Sequence, residues 1–360
     1  MELTTSQALA LRMRSLLLTG DGPGTVSGVV EWFGAMQAQD MASGLWSLGA
    51  RLPAFTVSDV NEALERREAI RTWPMRGTVH LVPPADAHWM LELMGARALA
   101  GVAKRRETIG LTEEMAERGV EILGTALKGK RLTRAECLTT LADAGIPPGG
   151  QLGYHLLWYA SQKGVTCIAP HVGKEQTFVL LDEWAPHPNR PSRPEALGII
   201  ATRFFRSHGP ATRADLARWT GLTMTDVKAG VAEAGDALTT VTVDGTEMIA
   251  DPSALDAGTV PEWAALPGFD EYMLGYKDRT MMLDEAHFQA VVPGGNGIFQ
   301  STIVRSGRVV ATWKRTLGKK AVVIDVFPLV GLKPAERKQV EAALQPYARF
   351  VELPAQVRWP

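Results

Sequence analysis

Gln37 and Gln39 flank Ala38 and run directly into Asp40. Each glutamine carries a carbonyl that accepts and an NH2 that donates, so a pair can hold a water between them. An aspartate beside them adds an ionisable oxygen. On a regular helix, residues two apart point about 200° away from each other, so Gln37 and Gln39 cannot share a helical face. They can act together only where a helix ends or the backbone is extended. The helix opening near Thr25 is therefore predicted to stop at or just before the Gln37–Gln39 stretch. On the residues alone, the pair reads as a polar helix end bonded to nearby backbone, and Asp40 as a solvated turn residue or a general base.

Other chemistries find no residues. Cys137 and Cys167 form no CxxC pair, and the seven histidines show no HxxxH spacing. No metal or cofactor is expected. Gly294-Gly295-Asn296-Gly297 lacks the Lys-Ser/Thr of a phosphate loop. The mixed charges of Phe269–Tyr272 and Lys277–Arg279 read as an internal salt-bridged joint.

The elements that must position these residues show a repeated grammar. Thr133-Arg134-Ala135-Glu136 and Thr212-Arg213-Ala214-Asp215 are both capping-box helix starts. Each follows an amphipathic helix, Glu113–Leu127 or Pro194–His208. Each precedes another helix, Gln151–Lys163 or Thr223–Ala234, and then a strand pair. The pairs are Val165–Ala169 with Thr177–Leu181, and Leu238–Val243 with Glu247–Ile249. Asp244-Gly245 supplies a tight turn in the second. Helix-helix-helix-wing is the winged-helix plan. The N-terminal segment repeats it: Leu3–Leu18, Thr25 to Met36, Asp59–Glu68, then Ile70–Trp73 with Thr78–Val82. After Pro261 the texture becomes antiparallel β: Phe288–Val292, Phe299–Val304, Val309–Trp313 and Val322–Val326. A helix, Pro334–Leu344, and a strand near Phe350–Leu353 close the chain.

The 360 residues, 46% hydrophobic, suffice for several cores. A net charge of −1 hides an uneven distribution. No acid occurs from Ala286 to Ile324, where Arg305, Arg308, Lys314, Arg315, Lys319 and Lys320 all fall. These six are the candidate phosphate contacts; an exposed sheet edge defended by lysines is the plainer reading. Arg76 either meets DNA or sits at the surface of a wing, while His80 reads as a satisfied interior histidine. No apolar run reaches the roughly 18 residues of a membrane span. A cytoplasmic, nucleoid-associated protein with buried free thiols is expected.

Three blocks carry a family resemblance: Met36–Asp40, Arg76–Leu81 and Leu266–Arg279, with Gly307–Lys314 as a looser fourth. In this order they resemble the AlkZ-type winged-helix DNA glycosylases. The resemblance implies an α+β chain with three tandem winged-helix units in a C-shaped arrangement and a C-terminal β-barrel-like unit. The expected division is 1–100, 101–190, 191–260 and 261–360. It further implies a monofunctional DNA glycosylase acting on N7-alkylated purines in double-stranded DNA, including unhooking of interstrand crosslinks made by azinomycin-like antibiotics. The family's catalytic pair falls on Gln37 and Gln39. Some relatives carry Asp at the second position; here Gln stands there and Asp follows at 40, a pattern that resembles the toxin-resistance branch.

The chemistry suits neutral amides. An N7-alkylated purine is cationic, so breaking its glycosidic bond returns electrons to a positive ring. The enzyme has to place a water and face an oxocarbenium-like sugar with negative dipole ends. The rival class is non-catalytic: a winged-helix DNA-binding regulator, or a resistance protein that sequesters the drug.

Overall fold

The computed structural model describes residues 1–360 apart from Asp21, Pro148, Ala257, Asn296 and the side chain of Ala103. The Asn296 of the expected glycine-rich turn lies outside the described residues. The fold is mixed α and β, in two compact units: Met1–Val60 with Leu197–Pro360, and Asn61–Ala196. No helix among the described residues is long and apolar enough to cross a membrane.

In the larger unit, Thr4 and Gln7 form a capping box that starts the helix Thr5–Ser15. Thr25 caps Val26–Phe33 by accepting from the Gly28 N–H. Thr212 and Asp215 box the start of Arg213–Thr220, and Thr223 caps Met224–Ala234. The hairpin Thr239–Val243/Thr246–Ala250 turns at Asp244 and Gly245, with φ of 47° and 76°. Two successive positive φ angles match the twist of a two-residue hairpin. Glu2–Leu3 adds a parallel strand to it, pairing with Thr242 and Val243. Leu3, Ala8, Leu11, Val241, Val243 and Met248 bury one core there.

The rest of the larger unit is a five-stranded sheet in chain order: Trp263–Leu266, Ser301–Arg305, Arg308–Leu317, Val322–Pro328 and Ala355–Arg358. It has two open edges, in place of the barrel-like closure expected after Pro261. Its last pairing is parallel, reached through the helix Pro334–Phe350. That helix outruns the expected stop at Leu344. It continues through Pro346 because Tyr347 and Phe350 pack on Trp46, with ring centroids 5.1 and 5.2 Å away. The closing strand accordingly falls at 355–358 rather than near Phe350–Leu353.

Phe288–Val291 is a short helix, not the expected strand. Asp284 accepts from the Ala286 N–H at 2.9 Å and starts a helical turn just before it. A segment as short as Phe288–Val291 cannot distinguish the two states by period.

In the smaller unit, Ile70–Met75 and Thr78–Val82 form a hairpin turning at Arg76 and Gly77, with φ of 55° and 68°. Helices Glu113–Ala126, Arg134–Asp143 and Gln151–Gln162 precede a second hairpin, Thr166–Val172/Glu175–Leu180. The two hairpins join side by side, Arg71 opposite Ile168, and Leu132–Thr133 pairs with the outer strand. Ile70–Met75 is buried throughout.

Candidate active site around Gln37

The helix Val26–Phe33 ends at Gly34, whose φ of 78° breaks the α pattern. Met36 and Gln37 are extended, so the helix does stop before the Gln-Ala-Gln stretch. Ala38 is buried and Gln39 exposed. A new helix, Met41–Gly49, begins at Asp40, whose carboxylate accepts from the Ser43 N–H at 3.0 Å. Sequence reading missed this helix, because Ser43-Gly44 in its first turn and only nine residues leave a weak period. A Cβ on Gly44 would meet the Ala38 Cβ at 3.0 Å, so the residue between the glutamines lies close against this helix.

Gln37 is only 9% exposed. Its N–H donates to Oε1 of Glu271 at 3.1 Å. The other oxygen of Glu271 accepts from the Trp219 indole at 2.9 Å and lies 3.2 Å from Nε2 of His208. Glu271 is 1% exposed, so these partners replace its water. Gly275 makes room for the imidazole: a Cβ there would stand 2.2 Å from the His208 ring. Among the described residues, the side-chain carbonyl of Gln37 is buried and accepts no hydrogen bond. An acceptor in that state is suited to a water or to an electron-poor ligand.

The neighbour of Glu271 fixes the segment. Asp270 takes a two-pronged ion pair from Arg51 at 2.8 and 3.0 Å and accepts from the Tyr272 N–H at 2.9 Å. Arg51 also donates to the Leu16 and Ser47 carbonyls. The joint expected from mixed charge thus includes partners from the first sixty residues. Its direct link to Gln37 is what sequence reading missed. The only signal was a carboxylate pair set in apolar residues, which requires buried partners without naming them.

The basic residues do not form one group. Arg305 pairs with Glu336 and lies 5.6 Å over the Trp263 ring. Arg308 donates to the Met281 carbonyl at 3.1 Å. Arg315 lies 3.5 Å from Asp40, which joins this strand to the glutamine segment. Lys314 is exposed, 5.7 Å from the Phe327 ring. Lys319 and Lys320 sit exposed in the turn after Leu317, which is itself 57% exposed. Arg76 belongs to the smaller unit, with a guanidinium nitrogen 3.1 Å from Nε2 of His80. His80 is fully buried, and its Nδ1 lies 2.8 Å from the Thr78 carbonyl. Among the described residues no three His, Cys, Asp or Glu gather as a metal site. Both cysteines are buried and free, and burial pushes the Cys137 thiol up to about 12.

Comparison with known proteins places the chain. A family model described as "DNA glycosylase AlkZ-like" matches residues 30–350. The interstrand DNA cross-link repair glycosylase of Streptomyces sahachiroi is 27% identical over 366 residues, covering 95% of this chain and 96% of that protein. The solved structure of Streptomyces sahachiroi DNA glycosylase AlkZ superposes with a TM-score of 0.82 at 26% identity, covering 99% of this chain and all of that one.

Proposed function

This chain belongs to the AlkZ-like DNA glycosylase family, and from that we propose that it hydrolyses the N-glycosidic bond of N7-alkylated purines in duplex DNA. Crosslinks of the azinomycin type, which tether two such purines, are within its reach. Gln37 and Gln39 form the reaction centre. The observation that carries this reading is the buried carbonyl of Gln37, which accepts no hydrogen bond among the described residues, on a backbone fixed by Glu271.

In the reaction, a water oxygen bonds to the sugar anomeric carbon as the carbon–nitrogen bond to the purine breaks. The bonding pair goes to the ring and cancels its positive charge, and the water gives up one proton to solvent. The products are an abasic site and a neutral alkylpurine. The amide oxygens face the developing sugar cation and hold the attacking water. Asp40 is close in sequence, but its carboxylate already caps a helix and meets Arg315. Asp40→Asn keeps the capping oxygen, so its excision rate reports the carboxylate's charge alone.

Arg305, Arg308, Lys314, Arg315, Lys319, Lys320 and Arg76 are the proposed DNA contacts. The exposed turn at Lys319 and Lys320 supports a hairpin that meets the backbone. The helix–helix–helix–hairpin order at 113–180 and again at 193–250 supports winged-helix units. The division at 100, 190 and 260 remains part of this proposal, as does action in the cytoplasm at the nucleoid.

The test is release of free base from duplex containing N7-methylguanine, against the same duplex unmodified. N7-methylguanine should appear well above the no-enzyme rate, and guanine should not. Release equal to the spontaneous rate would leave a binding module instead.

A further inference from the structure

The smaller unit holds a pocket of about 480 Å³ at the start of the helix Gln151–Gln162. Arg105, Arg134, Gln151, Tyr154 and His155 line it, and among the described residues no carboxylate does. Arg134 lies 5.6 Å over the exposed ring of Tyr154. Arg105 donates to the side-chain oxygen of Gln151, a neutral partner. Among the described residues neither guanidinium meets an acid. The twelve-residue helix begins behind Gly150, and no side chain caps its first amides, so its positive end also faces this region.

A separate observation points to a ligand. His155 is 8% exposed, yet its Nε2 has no hydrogen-bond partner among the described residues. Burial, followed by the charges of Arg106 and Arg105, holds its imidazole below the ordinary range. The neutral form that this favours has one N–H to give. Two guanidinium groups, the positive end of a helix, an imidazole and a phenol face suit a tetrahedral anion next to a flat or apolar group.

We propose that this pocket seats a phosphodiester of the DNA backbone, a contact in the smaller unit additional to those at the glutamine segment and the basic hairpin. It rests on the proposed function only in taking duplex DNA as what the chain binds. Inorganic phosphate shares the chemistry, and the test separates the two.

The variant is Arg105→Gln with Arg134→Gln, both at exposed side chains. Binding of undamaged duplex is followed by fluorescence anisotropy across a salt series. Inorganic phosphate is titrated separately by calorimetry, and base release is timed at saturating damaged DNA. The expected result is about tenfold weaker duplex binding, with the salt slope lowered by about one. Excision at saturation stays unchanged, and the matching Arg→Lys variant recovers most of the slope. Unchanged duplex affinity and slope would overturn the proposal. So would inorganic phosphate binding that the variant loses while duplex binding persists, because the site then serves a small anion. Binding to undamaged DNA involves no chemistry. Loss of binding in a chain that releases no base would therefore sink the glycosylase reading and leave this one standing.

Discussion

At the residue scale, the feature that most needs explaining is Glu271, a carboxylate that is only 1% exposed. Its oxygens are satisfied by a backbone amide of Gln37, an indole and an imidazole. Burial makes each bond count, because none can be exchanged for water. Glu271→Gln replaces one acceptor oxygen with a donor, and that donor must face another donor. We expect a stability loss of about 1–3 kcal/mol in urea unfolding. Single-turnover excision, corrected for folded fraction, should fall at least about tenfold, or ~1.4 kcal/mol in barrier. An unchanged rate in a destabilised protein would reduce Glu271 to a core residue. None of this was readable in sequence, because Gln37 and Glu271 are 234 positions apart and pairing at that range leaves no periodic trace. The glutamines are proposed as the reaction centre only through their family resemblance; by residue type alone they look like a helix end.

At the element scale, local rules did well wherever a short polar signal decides the backbone. The boxes at Thr133 and Thr212, the cap at Thr223 and the Asp244-Gly245 turn all form as their side chains dictate. Local rules failed where tertiary packing decides. Pro346 reads as a stop, yet three aromatic contacts with Trp46 and Trp313 hold the helix together beyond it. The strand Glu2–Leu3 is too short to show alternation and exists because Val243 and Thr242 offer it an edge. The same packing logic gives a prediction at Gly275. Its φ is ordinary at −62°, so backbone strain is not the issue. The issue is space, because an added methyl would overlap His208. Gly275→Ala should cost about 1–3 kcal/mol, typical of overpacking, and lower the excision rate together with the melting temperature. A variant that melts and reacts like the parent would show that the imidazole is free to move aside.

At the scale of the whole molecule, composition misleads most. A net charge of −1 suggests no affinity for a polyanion, yet charge placement matters more than the sum. The acid-free run from Ala286 to Ile324 was legible as a basic stretch. What sequence could not show is that Arg305 and Arg315 spend their charge on Glu336 and Asp40, while Lys319 and Lys320 stay exposed. The order of helices and hairpins over 113–180 and 193–250 was also legible, because caps and turns repeat there. The pairing of two hairpins into one sheet at Arg71 and Ile168 was not, since strand partners are set by burial rather than by neighbours in the chain.

All of this converges on whether two neutral amides run the reaction. The most direct measurement is single-turnover release of N7-methylguanine by Gln37→Ala/Gln39→Ala at saturating DNA, with duplex affinity measured alongside. The account predicts unchanged affinity and a rate reduced by about a hundredfold or more, in line with the loss of preorganised polar groups at a charged transition state. Full-speed release by the doubly substituted enzyme would contradict it.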